Sequence, residues 1–499
     1  MAISGYNSWM KMSKMKSLKM NFIMNAFLTM SSFIFPLITF PYVSRVLLPV
    51  GTGKVSFATS VVSYFSLFAQ LGIPIYGIRA CAKVRENREQ LTRVVHELLM
   101  INLFMSLVSY TLLLSTVLFI PRLQEDRALT IIISLKIILS AIGMEWLYKA
   151  LEQYAYITIR SLIFKCIAII LMFLLVHEEK DYIFYGGITI FAASASNIFN
   201  FINAHKYIDF MPVGNYNLKR HLKPIFIFFA MACATTIYTN LDTVMLGVIS
   251  SDEEVGYYNA AVKIKNILVS VVASTGTVLL PRTSYYIEKG NLNEFQRICK
   301  KVMHFAVLIG IPLSLYFFIF AKESIFFLSG NAYYGSVLPM QIIMPTLIFI
   351  GMTDIFGTQM LVPLGKEKMV LVSEIFGAGI DLFLNAILIP VHGSAGAAMG
   401  TLVAEFIVLI VQMISLGKKS IEMYQEVSGL KILMAALLGA VCSYWVKDFG
   451  LGNFLTLILS AILFFGIYGF FLLFTKEALV IGLFHQLIDK FYQGKKAEH

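Results

Sequence analysis

Polar side chains recur on single helical faces within long apolar stretches of this sequence. Between residues 256 and 281 they are Asn259, Lys263, Asn266, Ser270 and Thr277. At 100° per residue these five fall within about 40° of one line along a helix. A charge in hydrocarbon costs several kcal/mol unless it meets water or a partner, so the stripe predicts a wet lumen that contains Lys263. The alternative is a structural polar seam between helices.

The neighbouring Lys265 lies roughly 240° around the helix from Asn259, so we expect it to point away from this stripe and extend outward.

A second stripe, between residues 224 and 249, comprises Thr235, Tyr238, Thr239 and Asp242. We expect Asp242 either to pair with a basic residue in the lumen or to bind a proton or a cation.

A third stripe lies near the N-terminus and comprises Asn25, Thr29, Ser32 and Pro36. Pro36 and Pro41 should break the backbone hydrogen-bond ladder there, which predicts a bending or gating helix. Arg45 follows at the outer end, where it could contact a substrate or act as an interfacial anchor. Lys136 occupies the outer half of another apolar stretch.

Four further acids lie between residues 354 and 405: Asp354, Glu374, Asp381 and Glu405. Asp354 and Glu374 are both expected near the inner side. The sequence leaves open whether these acids bind cations or protons, or form hydrogen bonds between helices.

The composition of the chain indicates that membrane-spanning helices position these residues. The chain has 499 residues, of which 58% are hydrophobic and 14% charged, and its mean hydropathy is +0.77. Soluble domains carry about a quarter of their residues as charges. We therefore predict an all-α polytopic membrane protein. The five cysteines are scattered singly, which excludes a disulfide framework and a zinc site.

Fourteen apolar stretches are long enough to span a membrane. They lie near residues 21–44, 54–75, 95–120, 128–147, 161–176, 182–203, 224–249, 256–281, 303–320, 338–361, 369–390, 395–416, 432–446 and 454–474. With the N-terminus inside, the inner segments hold 29 lysines and arginines and the outer loops hold 6. This bias predicts that both termini are cytoplasmic, and it explains the net charge of +11 without a nucleic-acid partner.

The connecting segments are too short for an ATPase or a soluble catalytic domain. The largest inner loops are predicted at 76–94, 204–223 and 282–302, and the longest outer loop, 321–337, holds only Lys322 and Glu323 as charges. An enzyme would need a larger loop with more catalytic groups, so we expect no catalytic site.

A weak internal repeat connects the segments that begin at Gly53 and Gly256, at an offset of 203 residues. Parallel repeats of six spans around a central cavity are a transporter architecture. The predicted organisation is a cytoplasmic segment (1–20), an N-lobe (21–203), an inter-lobe loop (204–223), a C-lobe (224–416), two additional spans (417–474) and a cytoplasmic tail (475–499).

Several motifs resemble one known family. They are Phe35-Pro36-Leu37-Ile38-Thr39-Phe40-Pro41-Tyr42-Val43-Ser44-Arg45, Glu145-Trp146-Leu147-Tyr148-Lys149-Ala150-Leu151-Glu152, Tyr156-Ile157-Thr158-Ile159-Arg160, Thr239-Asn240-Leu241-Asp242-Thr243-Val244-Met245-Leu246-Gly247 with Gly256-Tyr257-Tyr258, and Gly393-Ser394-Ala395-Gly396-Ala397-Ala398 with Glu405. The chain resembles the Wzx-type polysaccharide flippases of the multidrug/oligosaccharidyl-lipid/polysaccharide exporter superfamily over most of its first twelve spans.

The resemblance implies translocation of an undecaprenyl-diphosphate-linked oligosaccharide between the leaflets of the bacterial cytoplasmic membrane. Two lobes would form a V around a cationic cavity with alternating access, and a polysaccharide polymerase and chain-length proteins would be partners. A diphosphate needs basic groups and a glycan needs hydroxyl and amide partners. The expected substrate-binding residues are accordingly Arg45, Lys136, Asn259, Lys263 and Asn266.

We expect no cofactor and no bound metal, and the sequence leaves open whether a proton or a sodium gradient drives transport. The expected charge-partner or coupling residues are Asp242, Asp354 and Glu374, and the gating residues are Pro36 and Pro41. The main alternative is a cation-coupled multidrug exporter of the same superfamily, which would use the intramembrane acids and need few basic groups in the lumen. A membrane polymerase or ligase is the remote alternative.

Overall fold

Helices and the turns that join them form all of the described structure. The computed structural model describes residues 18–425 and 427–482. This part of the chain contains nineteen α-helices, four 3₁₀ segments, two π segments and no strand. The predicted all-α class is confirmed.

The α-helices of the amino-terminal half are α1 (Leu18–Gln70), α2 (Ile73–Val84), α3 (Arg88–Phe119), α4 (Pro121–Gln124), α5 (Arg127–Gly143), α6 (Glu145–Ala150), α7 (Tyr154–Leu175), α8 (Tyr182–Ile190), α9 (Asn197–Asn203) and α10 (Lys219–Ile249). Those of the carboxyl-terminal half are α11 (Asp252–Glu288), α12 (Leu292–Ile319), α13 (Ala321–Ser329), α14 (Val337–Ile343), α15 (Thr346–Thr353), α16 (Glu367–Leu416), α17 (Lys418–Glu422), α18 (Gly429–Tyr444) and α19 (Asn453–Phe474).

The chain divides into two compact units, one that ends at Asn240 and one that begins at Leu241. The predicted lobe boundaries at 203 and 224 stay predictions. The predicted cytoplasmic segment (1–20) and tail (475–499) lie largely outside the described residues.

Two helices are too long for a single membrane crossing. A straight helix of the 53 residues of α1 would extend about 80 Å, whereas the hydrocarbon core is about 30 Å thick. The backbone leaves the helical region at Leu48 (φ 56°, ψ 179°) in α1 and at Gly393 (φ 52°, ψ −130°) in the 50-residue α16. Each of these helices therefore supplies two of the predicted spans.

The remaining spans correspond to single helices or to one bent pair. In the described residues, nine helical stretches are long and apolar enough to cross a membrane, and a tenth span is formed by two segments bent by 48° (Asn331–Ile343 and Thr346–Leu361). The 17-residue α5 and the polar α11 are the other two predicted spans. With α1 and α16 divided at their kinks, fourteen helical segments match the fourteen predicted spans.

The kink in α1 lies beyond Pro36 and Pro41, whose gating role stays a prediction. The helical backbone of α1 continues through both prolines, and the non-helical residue is Leu48, which directly precedes Pro49. A proline disfavours helical geometry at the residue before it, and this steric effect accounts for the position of the kink. The break between α10 and α11 at Ser251 lies 203 residues after Leu48, at the offset of the sequence repeat.

Two of the predicted long loops are mostly helical. Residues 76–94 form most of α2 and the start of α3, and residues 282–302 form the end of α11 and the start of α12. Each new helix begins after an asparagine cap. The side chain of Asn87 accepts a hydrogen bond from the Gln90 amide, and the side chain of Asn291 accepts one from the Glu294 amide.

The segment between α9 and α10 is bound to the first unit through a buried acid. Glu97 of α3 is fully buried and accepts hydrogen bonds from the Asn217 amide (2.7 Å), from the Arg220 guanidinium and from His221 Nε2 (2.7 Å). His221 Nδ1 accepts a hydrogen bond from the Tyr76 hydroxyl (2.8 Å). We call these five residues the Glu97 cluster.

Candidate transport site

A cluster of buried polar residues surrounds Asp242 in the second unit. Asp242, on α10, is 7% exposed. One of its carboxylate oxygens accepts hydrogen bonds from the Tyr258 hydroxyl and from the Thr401 hydroxyl (2.8 Å), and the other accepts one from the Asn385 amide (2.5 Å). Three helical segments therefore converge on one carboxylate, because Tyr258 lies on α11 and the other two lie on either side of the kink in α16.

A second acid, Asp381, lies one turn before Asn385 and is also buried. Asp242, Glu405 and Lys265 all lie within electrostatic reach of its carboxyl group. Gly400 makes the close packing possible, because a Cβ atom there would lie 2.4 Å from Asn385 Oδ1 and 2.9 Å from Asp381 Oδ1.

These residues can bind a small cation. Three acids and one lysine leave an excess of negative charge in a buried site, which a proton or a bound cation would neutralise. The available ligands are carboxylate, hydroxyl and amide oxygens, which suit hard cations. In the described residues no three His, Cys, Asp or Glu side chains form a metal-binding group, so any cation would depend on the neutral oxygens as well.

The structure modifies the prediction for Asp242. It is neither isolated nor paired with a basic residue; its direct partners are hydroxyl and amide donors. Asp354 and Glu374, which were predicted to share its coupling role, form no hydrogen bond or ion pair with it in the described part of the chain. Asp354 begins a π segment (Asp354–Leu361) and accepts a 3.5 Å hydrogen bond from Gln359, and Glu374 is half-buried on α16.

The partners of Asp242 could be found only in part from the sequence. Asp381 with Asn385, and Thr401 with Glu405, are pairs four residues apart, so each pair shares a helical face. That spacing identifies two polar faces within apolar stretches. It gives no information about which helix each face contacts.

A polar side chain of the stripe on α11 forms hydrogen bonds within the second unit. Asn259 donates hydrogen bonds to the Val255 carbonyl (2.9 Å) and to the Thr243 hydroxyl (3.4 Å). Lys263 is half-buried and Asn266 is exposed, while the side chain of Thr277 lies outside the described residues. Lys265, which was predicted to point away from this stripe and extend outward, lies within electrostatic reach of Asp381.

Basic residues of the first unit contact neutral oxygens. Lys136 donates a hydrogen bond to the Ser63 hydroxyl (3.4 Å), and the exposed Arg45 donates one to the Pro41 carbonyl. Sequence reasoning missed Lys165 on α7, whose ammonium donates to the hydroxyls of Ser31 (2.7 Å) and Ser32 (3.2 Å). Ser32 belongs to the polar stripe of α1. Lys165 could have been identified from the sequence, because it is a lysine within the fifth apolar stretch.

These helices and polar clusters can be compared with known families. A family model described as "Polysaccharide biosynthesis protein" matches residues 18–287, more than half of the chain. The chain belongs to this family. A second model, MatE, matches residues 227–387. Both matches agree with the resemblance found in the sequence motifs.

Two curated relatives match this chain over nearly their full length. A protein of Escherichia coli (strain K12), provisionally named an O-antigen transporter, is 24% identical over 79% of this chain and 95% of its own length. A protein of Shigella dysenteriae with the same provisional name is 24% identical over 76% of this chain and 95% of its own.

Solved structures share the fold of this family member. The lipid II flippase MurJ in an inward closed conformation has a TM-score of 0.70 at 16% identity, covering 92% of this chain and 100% of that one. An inward-facing multidrug resistance MATE transporter has a TM-score of 0.59 at 13% identity, covering 78% and 95%. The chain is thus a multi-pass membrane protein that has the fold of these two proteins.

Proposed function

We propose that this protein is a flippase that moves undecaprenyl-diphosphate-linked oligosaccharide repeat units from the inner to the outer leaflet of the bacterial cytoplasmic membrane. Alternating access would expose one polar site to each side in turn. The product would supply surface polysaccharide biosynthesis, where a polymerase and chain-length proteins would act on it. The family match and the curated relatives named as O-antigen transporters support this proposal.

The observation that carries the proposal is the pairing of intramembrane lysines with neutral groups. Lys136 and Lys165 contact serine hydroxyls, so their hydrogen-bond partners leave the positive charge uncompensated. Glu145 acts electrostatically on Lys165, but it already forms a 2.8 Å ion pair with Lys149. An ammonium group in a poorly screened site gains strongly from a diphosphate, and the serine hydroxyls can also contact sugars.

Arg45, Lys263, Asn259 and Asn266 complete the proposed substrate-binding set. Arg45 offers a bidentate donor for phosphate oxygens, and the two asparagines offer amide groups for a glycan. Pro36 and Pro41 keep their proposed gating role, with the kink at Leu48 as an additional bending point.

The acidic cluster around Asp242 would couple transport to a proton or sodium gradient. It lies in the second unit, and uptake of a cation would remove its excess negative charge. Asp381 and Glu405 extend the proposed coupling set, whereas Asp354 and Glu374 would act separately from it.

The proposal is tested by deleting the gene and restoring it on a plasmid. Loss of the protein should strand lipid-linked repeat units at the inner leaflet and remove surface polysaccharide, and the wild-type gene should restore both. The chain would not be a flippase for these units if they still reached the outer leaflet in the deletion strain.

A cation-coupled multidrug exporter is the second candidate, because the MatE model matches residues 227–387 and a buried acidic cluster is present in that region. This alternative predicts drug sensitivity in the deletion strain with normal surface polysaccharide. The lysines with neutral partners favour an anionic substrate instead.

A further inference from the structure

A basic cavity lies in the first unit, apart from the residues assigned to transport above. It has a volume of about 390 Å³ and lies between α2 and the first turns of α10. Its lining includes Arg79, Lys83, Lys223, Tyr76, Ile227 and Phe228. Ligand sites in proteins commonly have volumes of roughly 300–1,000 Å³, so the cavity can hold a small headgroup.

The local sequence explains why the basic residues converge. Tyr76, Arg79 and Lys83 are spaced by three and four residues, so they share one face of α2. Lys223 and Ile227 are four residues apart and share a face of α10. The Glu97 cluster holds these two helices in register, because Tyr76 bonds to His221 just before Lys223.

The three basic side chains differ from their neighbours in having no acidic partner. In the described part of the chain, Arg79, Lys83 and Lys223 form no ion pair and no hydrogen bond. By contrast, nearby arginines are compensated: Arg85 pairs with Glu152 (2.8 Å), Arg88 with Asp209 (2.7 Å), Arg93 with Glu89 (3.0 Å) and Arg220 with Glu97. The cavity therefore concentrates uncompensated positive charge.

The apolar part of the lining indicates what kind of anion fits. Of the lining residues, Ile227 is 58% exposed. Phe226 and Ile75, which neighbour lining residues in the sequence, are also exposed. Large exposed apolar side chains next to basic groups suit a ligand with a phosphate at one end and a hydrocarbon chain at the other. A soluble anion would gain nothing from the apolar side.

We propose that the cavity between α2 and α10 binds the phosphate headgroup of a lipid. Basic pockets beside membrane-spanning helices at the cytoplasmic surface bind anionic headgroups in this way. Two sources share the chemistry: a bulk anionic phospholipid, and a polyprenyl phosphate of the kind that carries glycans. The site does not depend on the proposed flippase activity, since either lipid could bind to a protein with another substrate.

The test measures lipid binding to the purified full-length chain by native mass spectrometry. The probes are phosphatidylglycerol, undecaprenyl phosphate, zwitterionic phosphatidylcholine and inorganic phosphate. The variant R79Q/K83Q/K223Q removes the three cavity charges. The control variant K368Q/K418Q/K419Q removes three exposed lysines of the second unit that form no ion pair in the described structure.

We expect the cavity variant to bind at least one phosphate lipid about tenfold or more weakly than the wild type, and the control variant to bind like the wild type. Tighter binding of phosphatidylglycerol would identify bulk phospholipid as the ligand, and tighter binding of undecaprenyl phosphate would identify the polyprenyl carrier; both support the site. Equal loss in the two variants, no loss in either, or equally tight binding of phosphatidylcholine or inorganic phosphate would overturn it.

If the triple variant cannot be purified, the charge-preserving variant R79K/K83R/K223R and a salt titration of the wild type provide the same test. Binding at an exposed basic site should weaken as salt rises, and the charge-preserving variant should retain it. Lipid binding that does not change with salt would overturn the proposal. Export of polysaccharide is measured separately, so failure of this site and failure of the flippase proposal remain distinct results.

Discussion

At the scale of single residues, the charges of the proposed transport site have two kinds of environment. In the second unit, Asp242 accepts hydrogen bonds from Tyr258, Thr401 and Asn385. In the first unit, Lys136 and Lys165 donate hydrogen bonds to serine hydroxyls. The first environment suits a cation and the second suits an anion, and the proposed flippase would need both.

The substitution Lys165→Gln should lower surface polysaccharide export about tenfold while the protein still inserts. Glutamine keeps the contact with the serine hydroxyls but removes the charge, and a charged hydrogen bond is worth about 1.5–3 kcal/mol. Export is measured at matched protein levels. Lys180→Gln, at an exposed lysine of the same unit, is the control and should export normally. Full export from both variants would show that Lys165 does not contact substrate.

Asp242→Asn should abolish most of the dependence of export on the cation gradient, with a loss of at least about tenfold in rate. The amide keeps the size and can still bond with Tyr258 and Thr401, but the excess negative charge decreases. Transport into vesicles is compared with and without an imposed proton or sodium gradient. Asp448→Asn changes an exposed aspartate and should have no effect. A fully gradient-dependent Asp242→Asn variant would exclude the carboxylate from coupling.

The sequence predicted Asp242, Lys136, Lys263 and Asn259 as polar residues within apolar helices, because periodicity reveals the face of a helix. It did not connect Asp381 with Asp242, or Ser31 and Ser32 with Lys165. Those contacts depend on which helices are neighbours, and about 140 residues separate the partners in each case. No local pattern carries that information.

At the scale of helices, the kinks divide long helices into membrane-sized lengths. The kink at Gly393 requires a positive φ, and the next amide, of Ser394, donates a 2.6 Å hydrogen bond to Glu254. A Cβ at Gly393 would lie 2.5 Å from the Glu254 carboxylate. Glycine is therefore required there for both its conformation and its small size.

Gly393→Ala should destabilise the protein by at least about 1 kcal/mol, since positive φ alone costs an L-residue roughly that amount. The matched control is Gly379→Ala in the same helix, where a Cβ meets no atom within 4 Å. Alanine is the better helix former, so the control should be neutral or slightly stabilised. Thermal unfolding in detergent measures both, and equal midpoints would contradict the role given to Gly393.

Helix existence was easier to predict than helix boundaries. The length of the apolar runs located all fourteen segments. Each run ends where its helix enters the polar region, although the helix itself continues. The caps at Asn87 and Asn291 determine where the next helices begin, because each asparagine side chain accepts a hydrogen bond from the backbone amide three residues later. The kink at Leu48 could have been inferred from Pro49 by the same local logic.

At the scale of the whole molecule, the uneven distribution of lysine and arginine predicts which ends face the cytoplasm. Hydropathy and charge together gave the number of segments and their expected direction. The division of the chain near residue 240 rests on contacts between distant segments, so span counting could not place it.

Cysteine labelling should place Lys419 inside and Ser251 outside the cell. Both positions are exposed, whereas native Cys299 is fully buried and would not react on either side. All five native cysteines are replaced first, since Cys166 is exposed. In intact cells an impermeant reagent should label Ser251→Cys and not Lys419→Cys. The reverse pattern would invert the proposed topology.

The Glu97 cluster also has a consequence for the order of events during synthesis. Arg220 follows Glu97 by 123 residues, and ribosomes add about 5–20 residues per second. For about 6–25 seconds, helix α3 therefore exists without the groups that compensate its acid. During that interval Glu97 must be hydrated or protonated, so the nascent first unit cannot reach its final packing until the chain has been made as far as His221.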